Sequence, residues 1–480
     1  VSGPTYDVVV VGLGGAGAAA AIEAHDAGLA VLVVEKAAEG GGNTRESGGS
    51  LRHVDDQEAA CAALRTYADA VTGEDVQRAF VEGLPSTTAW LTSLGADLVA
   101  PSAWTKGYPG TKSQTLEGAG RDGALGGRLR VAADDGRSGG EALWDVLRAA
   151  VEQRGIEVRH GMRCEALLVD DHGAVRGVRA RDAGGQGGAV ELTARRGVVL
   201  ATGGFGADRQ MQLNFLGRSM PSMGLPDGNT GDGVRLAQQA GAGLWHVSAY
   251  ATVMGYDLPG VDQALQHQMP VPNYVYVDAG GNRFLDELGY DWHALPHAFL
   301  PTVGEPGAAA WGRTFVVFDE TARRAGPIIN ATTRAGRRLG WSADNSAEIE
   351  RGWIKRGTTP EELAEQLGLP GEALARSLAD YDEACRGTRA DAFGRTELAG
   401  LAAPPYYGLE VLPILCNTQG GPRRDARARV LDPYGNPIAG LYAAGELGSI
   451  WGKHYPGAGN VTEALVFGRI AGRELAGRTT

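Results

Sequence analysis

The sequence has little of what marks several large protein classes. Its four cysteines stand apart at Cys61, Cys164, Cys385 and Cys416, with no C-x-x-C pair and no C-x-x-C-H. A c-type haem, a cysteine-ligated iron–sulfur cluster and a zinc knuckle therefore have no basis in the sequence, and a reducing compartment is the simplest reading. No basic block interrupts a net charge of −12, so nucleic acid and anionic membranes are poor partners. No apolar run reaches the roughly 20 residues that span a bilayer, so no transmembrane segment is expected. The chain enters a strand at Tyr6, which sets the expectation of no signal peptide and a cytoplasmic location. His293 and His297 have helical metal spacing, but Pro296 between them would disturb that helix, and no metal site is expected. The 74 glycines follow no repeating period, which excludes collagen-like and linker readings.

What is present starts at the N-terminal end. Val8–Val11 read as a buried parallel strand, followed by Gly12-x-Gly14-x-x-Gly17, a helix opened by Ala18–Ala21, and a second strand, Val31–Val34, ending in Glu35. Gly12 permits a tight turn, Gly14 lets the backbone approach a pyrophosphate, and Gly17 lets helix and strand pack closely. The helix N-terminus offers free N–H groups to phosphates, and Glu35 is placed to accept from a ribose hydroxyl. A strand before the loop, a helix after it and an acid at the right distance make this a dinucleotide-binding unit rather than a merely tight turn. No second strand, G-x-G-x-x-G loop and helix follow as a unit, so a separate NAD(P) domain is not supported.

The remaining chain is long enough for a second domain. Gly40–Thr44 and Ser47–Ser50 read as a glycine-rich loop that wraps a cofactor with backbone amides. Residues 56–95 read as helical, and residues 101–140 as a long loop with Trp104 and Tyr108. Gly197–Leu200 is another buried strand, running into Ala201-Thr202-Gly203-Gly204-Phe205. Residues 246–395 are rich in aromatics, with 15 of the 32 in the chain, and carry strands at 273–277 and 314–318 and a helix started by Thr359-Pro360. The last 80 residues return to a strand ending Ala444-Gly445-Glu446, then Tyr455–Gly459 and a final helix from Asn460. The expected layout is a two-part dinucleotide domain, residues 1–245 and 396–480, interrupted by a capping (substrate) domain at 246–395.

These motifs together resemble the fumarate reductase/succinate dehydrogenase flavoprotein superfamily, including its 3-ketosteroid dehydrogenases. The resemblance rests on the glycine loop with Glu35, Gly42-Asn43-Thr44 with Ser47-Gly48-Gly49, Ala201–Phe205, Gly231-Asp232-Gly233, Asn282-Arg283-Phe284-x-x-Glu287, Gly440–Glu446 and Phe467-Gly468-Arg469-x-Ala471-Gly472. It implies an α/β fold: a Rossmann-like, glutathione-reductase-like FAD-binding domain with an inserted α+β cap. It also implies FAD held by Gly12, Gly14, Gly15, Ala16, Gly17, Glu35, Lys36, Gly42, Asn43, Thr44, Ser47, Gly48, Gly49, Thr202, Gly203, Gly204, Asp232, Gly445, Glu446 and Asn460. The FAD is expected to be non-covalent, because Asn43 stands where the family links its flavin to histidine.

Three positions point to a branch. Asn417 stands where fumarate reductases place a carboxylate-holding histidine, and Tyr455–Asn460 contains no clamping arginine. After Arg283-Phe284-x-x-Glu287 the local candidate for the acid–base group is Tyr290. A dicarboxylate site without its cations would leave charges unpaired. Tyr455-Pro-Gly-Ala-Gly459 is instead similar to the ketosteroid dehydrogenases, where the tyrosine hydroxyl and last glycine N–H hold a ketone oxygen. The resemblance thus implies desaturation of a 3-ketosteroid or a smaller cyclohexanone-type ketone. Tyr455 and Gly459 would polarise the carbonyl, Tyr290 would take the α-proton, flavin N5 would take the hydride, and Tyr108 is a further catalytic candidate. The electrons would pass to an external acceptor, whether oxygen, a quinone or a carrier. The alternatives are a fumarate-reductase-like reductase of an unsaturated acid or enone, and an idle flavoprotein that only binds its cofactor.

Overall fold

The computed structural model describes residues 5–67, 71–100, 127–133, 137, 139–185, 187–290, 293, 295–296, 312–452, 455 and 457–477. The chain forms two units. The first is built from Val1–Pro101, Gly120–Ala251 and Leu415–Thr480, and the second around Thr252–Ile414.

The first unit is organised on an eight-stranded sheet. Strand β1 (Thr5–Val11) lies at its centre, parallel to β2 (Val31–Val34) on one side and to Val190–Leu200 on the other. Glu157–Arg159 extends the sheet beyond β2, and Pro437–Ala443 extends it beyond Val190–Leu200, both in parallel. Arg429–Leu431 closes that edge antiparallel, and the hairpin Met162–Val169/Val175–Asp182 attaches through Val190–Leu200. Burial on both faces accounts for the unbroken valines of β1 and β2, whose Val8–Val10 and Leu32–Val33 are fully buried. This is the α/β FAD-binding architecture the motifs imply.

Helix α1 (Gly15–Asp26) and the C-terminal helix α2 (Gly459–Leu475) pack against each other beside the sheet. Small residues permit it. A Cβ at Gly468 would stand 2.4 Å from the Ala16 carbonyl oxygen, and one at Gly472 would stand 2.5 Å from that of Ala20. Strand β3 (Leu51–His53) pairs antiparallel with Gly127–Val131, which also pairs with Leu98–Val99. The reading of 101–140 as one loop is corrected at residues 127–131: Leu129 and Val131 alternate with arginines, a strand pattern hidden among flanking glycines. The helical stretch at 56–95 is two helices, Gln57–Tyr67 and Glu74–Ser93.

The second unit has a sheet ordered Leu265–Gln266, Tyr250–Tyr256, Tyr406–Thr418, Thr314–Phe318, Tyr274–Asp278, with Lys355–Gly357 beside Tyr406–Thr418. Leu363, Leu367, Leu374 and Leu378 of the helices Pro360–Leu367 and Gly371–Cys385 pack with Val275, Val277, Phe315 and Val317 of the sheet. Thr359 caps the first of these helices, its hydroxyl accepting the Glu362 N–H at 3.2 Å, with Pro360 in the first turn. The Arg283-Phe284-x-x-Glu287 motif acts as a buried anchor. Glu287 accepts from Arg283 at 3.0 and 2.9 Å, from Arg395 at 3.0 Å and from the Tyr276 N–H at 3.2 Å.

Candidate active site

The glycine loop divides into positions that must be glycine for packing and one, Gly14, where a side chain would meet only ordinary contacts. Gly12 has φ +99°, and a Cβ there would stand 2.5 Å from the Ala201 carbonyl oxygen. A Cβ at Gly17 would stand 1.9 Å from the Gly12 carbonyl oxygen. A Cβ at Gly14 would meet the Gly41 carbonyl oxygen at 3.7 Å and the Thr44 hydroxyl at 4.0 Å, ordinary contacts, so the protein's own packing does not require glycine there. The Gly15 N–H donates to the Thr44 hydroxyl at 3.0 Å, tying the loop to Gly42–Glu46. Glu35 accepts the Leu13 N–H at 2.7 Å and the Ala37 N–H at 2.8 Å, so its carboxylate braces the loop. Its remaining lone pairs are outside those bonds and suit a hydroxyl donor. Lys36 donates to Thr230 at 2.6 Å and to Asp232 at 3.1 Å, and Arg163 donates to Asp232 at 2.6 Å. Burial opposes the Asp232 charge, but Lys36 and Arg163 outweigh it and hold the carboxyl below its usual range.

Glu446 gathers segments far apart in sequence. One of its oxygens accepts from Asn43 at 3.2 Å and Asn229 at 2.7 Å. The other accepts the Thr418 N–H at 3.1 Å and its hydroxyl at 3.3 Å. Gly203 and Gly204 must be small to sit here, since a Cβ at Gly204 would stand 2.0 Å from the Thr418 hydroxyl and 2.5 Å from Glu446. Gly445 brings Glu446 in through a left-handed turn, φ +82°. Burial pushes the Glu446 carboxyl up to about 7 against the pull of these donors. Cys416 is pushed up to about 12, first by burial and then by Glu446, so it stays a thiol.

Tyr455 lies at the N-terminus of α2. Its hydroxyl oxygen accepts the Gly459 N–H at 3.1 Å and the Asn460 N–H at 3.2 Å. The motif predicts that Tyr455 and Gly459 reach a ketone oxygen as separate donors; in the structure the Gly459 amide is engaged by the tyrosine. Two amides at a helix N-terminus polarise the phenol O–H as a donor. A Cβ at Gly459 would stand 2.4 Å from the Trp451 ring, which explains glycine at that position.

The other expected residues fall out differently. Tyr290 belongs to the second unit and is 41% exposed. Tyr108, Trp104 and His297 lie outside the described residues. His293 is a structural histidine, its Nδ1 2.9 Å from the Thr252 carbonyl oxygen, and no metal-binding cluster occurs among the described residues. Sequence reasoning missed Asn229, Thr418 and Arg52. The first two flank quoted motifs, so their polarity was visible; Arg52 carried no signal beyond following Ser47-Gly48-Gly49.

A glycine loop at the end of a parallel sheet, an acid bracing it and a buried polar ring around Glu446 define a dinucleotide-cofactor protein of the doubly wound class. The sequence signature of the FAD binding domain family matches residues 7–462, and the chain belongs to that family. It is 29% identical, over 98% of this chain and 75% of the relative, to a probable fumarate reductase of Shewanella frigidimarina (strain NCIMB 400). It is 27% identical, over 98% of both chains, to a 3-oxosteroid 1-dehydrogenase of Mycobacterium tuberculosis (strain ATCC 25618 / H37Rv). Among solved structures, the open conformation of a flavocytochrome c3 fumarate reductase matches with a TM-score of 0.77 at 26% identity, covering 99% of this chain and 79% of that one. The chain is an FAD-dependent oxidoreductase of the group whose members are named as dehydrogenases and reductases.

The residues present fit FAD. Asn460 has both side-chain polar atoms buried without a hydrogen-bond partner among the described residues, as expected of a group whose partner is the cofactor. Gly14, a glycine that the protein's own packing does not require, suits close approach of the pyrophosphate, and Glu35 suits the ribose. No helix among the described residues is long and apolar enough to cross a membrane.

Proposed function

We propose that the chain desaturates a ketone, a 3-ketosteroid or a smaller cyclohexanone-type ring, next to its carbonyl. The observation that carries this reading is the Tyr455 hydroxyl, whose oxygen accepts from two helix N-terminal amides and whose O–H is thereby polarised. Removing an α-proton requires the developing enolate oxygen to be stabilised, and a fixed, buried donor does this without reorganisation. Burial raises the Tyr455 phenol, so it remains protonated at neutral pH. Bound FAD supplies the two-electron acceptor for the β-hydrogen. Tyr290 is the proposed base for the α-proton, and Tyr108 a further catalytic candidate. Loss of one proton and one hydride leaves the α,β-unsaturated ketone, and an external acceptor such as oxygen, a quinone or a carrier takes the electrons.

The second reading is reduction of an unsaturated acid or enone. The similarity to a probable fumarate reductase favours it. Against a dicarboxylate stands the lack of an arginine in the stretch Tyr455–Asn460, while the nearby Arg52 donates through Nε and Nη2 to the Gly457 carbonyl oxygen. Anaerobic mixing with a panel of cyclic ketones tests the proposal: the oxidised flavin should bleach. No bleaching by any ketone, together with rapid reoxidation of the reduced enzyme by an unsaturated dicarboxylate, would replace the first reading with the second.

A further inference from the structure

We infer that Arg52 is a positioning residue for Tyr455, holding the turn that aims the first amides of α2 at the tyrosine hydroxyl and lending that hydroxyl its positive charge. The inference rests on the ketone reading for its consequence in catalysis, but its geometry lies wholly within the first unit.

Arg52 is the middle residue of β3 and only 2% exposed. A buried guanidinium needs a stated reason, because its desolvation is unfavourable unless its donors are engaged. Here Nε and Nη2 both donate to the Gly457 carbonyl oxygen, at 3.1 and 2.9 Å. The Arg52 backbone N–H donates to the Thr462 hydroxyl at 2.8 Å, and that hydroxyl donates to the Ala458 carbonyl oxygen at 2.9 Å. One residue thus restrains both peptides of the turn, directly at Gly457 and through Thr462 at Ala458.

The turn needs such restraint. Gly457 has φ +70° and Ala458 has φ +55°, and left-handed backbone is unfavourable for alanine. Such a conformation persists where its surroundings over-determine it, and it clusters at functional sites. Its result is that the next two amides, Gly459 and Asn460, both reach the Tyr455 oxygen. Among the described residues, the groups that act on Tyr455 include Arg52 on β3, Cys416 on Tyr406–Thr418, and the amides of α2. Burial raises the phenol most; the Asn460 amide, the Arg52 charge and the Gly459 amide act against it, and Cys416 adds to it. Arg52 is a cation in that set, and the planar fork that grips one carbonyl twice is something lysine lacks.

The test compares Arg52→Gln and Arg52→Lys with the parent holoenzyme. An ultraviolet difference titration against Tyr455→Phe reads the Tyr455 phenol alone and needs no substrate. With Arg52→Gln, the phenol should ionise at higher pH. The ketone-driven bleaching rate should fall by about 10²-fold, with a much smaller change in KM and with the alkaline limb of the rate profile moved upward. Arg52→Lys should restore the titration but only part of the rate, since it keeps the charge and loses the fork. An unchanged titration and rate in Arg52→Gln, at full FAD content, overturns the inference. If Arg52→Gln does not fold, Arg52→Lys decides: a parental rate overturns the inference, and a reduced rate with a parental titration supports it. If no ketone bleaches the parent enzyme, the ketone reading fails, while the titration still tests Arg52 independently of any substrate.

Discussion

The hydroxyl of Tyr455 accepts the backbone N–H of Gly459 at 3.1 Å, across one turn's distance in sequence. The two groups expected to meet a ketone oxygen side by side stand in series, with the helix amide behind the phenol. The phenol O–H is then the donor proposed for the ketone, and Tyr455→Phe should remove it cleanly. Ketone-driven flavin reduction should fall by about 10²–10³-fold with FAD content close to parental, and the melting temperature should drop modestly, because the Gly459 and Asn460 amides lose their acceptor. Stopped-flow bleaching measures this, and a parental rate would remove Tyr455 from the chemistry.

Asn460→Ala should act in opposite directions with and without cofactor. Both side-chain polar atoms of Asn460 are buried without a partner among the described residues, a state unfavourable by about 1–3 kcal/mol per group. The FAD-free variant should therefore melt no lower than the parent, while FAD should dissociate more readily. Fluorescence titration of released flavin and calorimetry of the apoprotein measure the two effects. An apoprotein destabilised as much as the holoenzyme would show that Asn460 serves the fold instead.

Gly17→Ala should abolish FAD retention. The added Cβ would lie 1.9 Å from the Gly12 carbonyl oxygen, which is backbone and has nowhere to move. The glycine loop must open to relieve it, and the phosphate side of the loop goes with it. Purified protein should lack the absorbance of bound flavin. A yellow, fully loaded Gly17→Ala protein would contradict the close helix–strand packing on which this rests.

Glu287→Ala should unfold the second unit more readily. Removing the acid leaves Arg395, which is fully buried, and Arg283, nearly so, without their shared partner. Breaking a buried pair in this way is destabilising by about 3–5 kcal/mol. Denaturant unfolding measures the loss. Glu287→Gln should recover only part of it, since the amide accepts at one atom where the carboxylate accepts at two.

Glu446 should give the FAD-free protein a pH-dependent stability. Its folded carboxyl holds a proton up to about pH 7, whereas a glutamate in an unfolded chain releases it near pH 4.3. A raised folded value means that the contribution is complete below the unfolded value and is lost as pH rises through about 7. The change is at most about 4 kcal/mol. Urea denaturation of apoprotein between pH 4 and 8 should show the fall, and Glu446→Gln should flatten it. An equal slope in the variant would assign the titration to another group.

The glycine loop, the valine strands and the acid at Glu35 were legible because each follows from local rules. An unbroken apolar run is a strand buried on both faces, and a glycine at fixed offset marks a close approach. The two-part sheet was legible too, since Gly440–Glu446 repeats the style of β1 and pairs with Val190–Leu200 in the same sheet. The strand at 127–131 was missed because its pairing partners, Leu51–His53 and Leu98–Val99, are distant in sequence.

What sequence alone determined is therefore the dinucleotide-binding strand, loop and helix, set by periodicity and by residues a few positions apart, while FAD and the cap came with the resemblance of several linked motifs to a flavoprotein family. What only the tertiary structure decided is who bonds to whom. Asn43, Asn229 and Thr418 come from three separate segments and converge on Glu446. Arg52 reaches Gly457 across a sequence separation of 405. Such contacts have no period and no spacing rule. They exist because folding buries charged and polar groups together, and each must then find its partner where the packing has placed one.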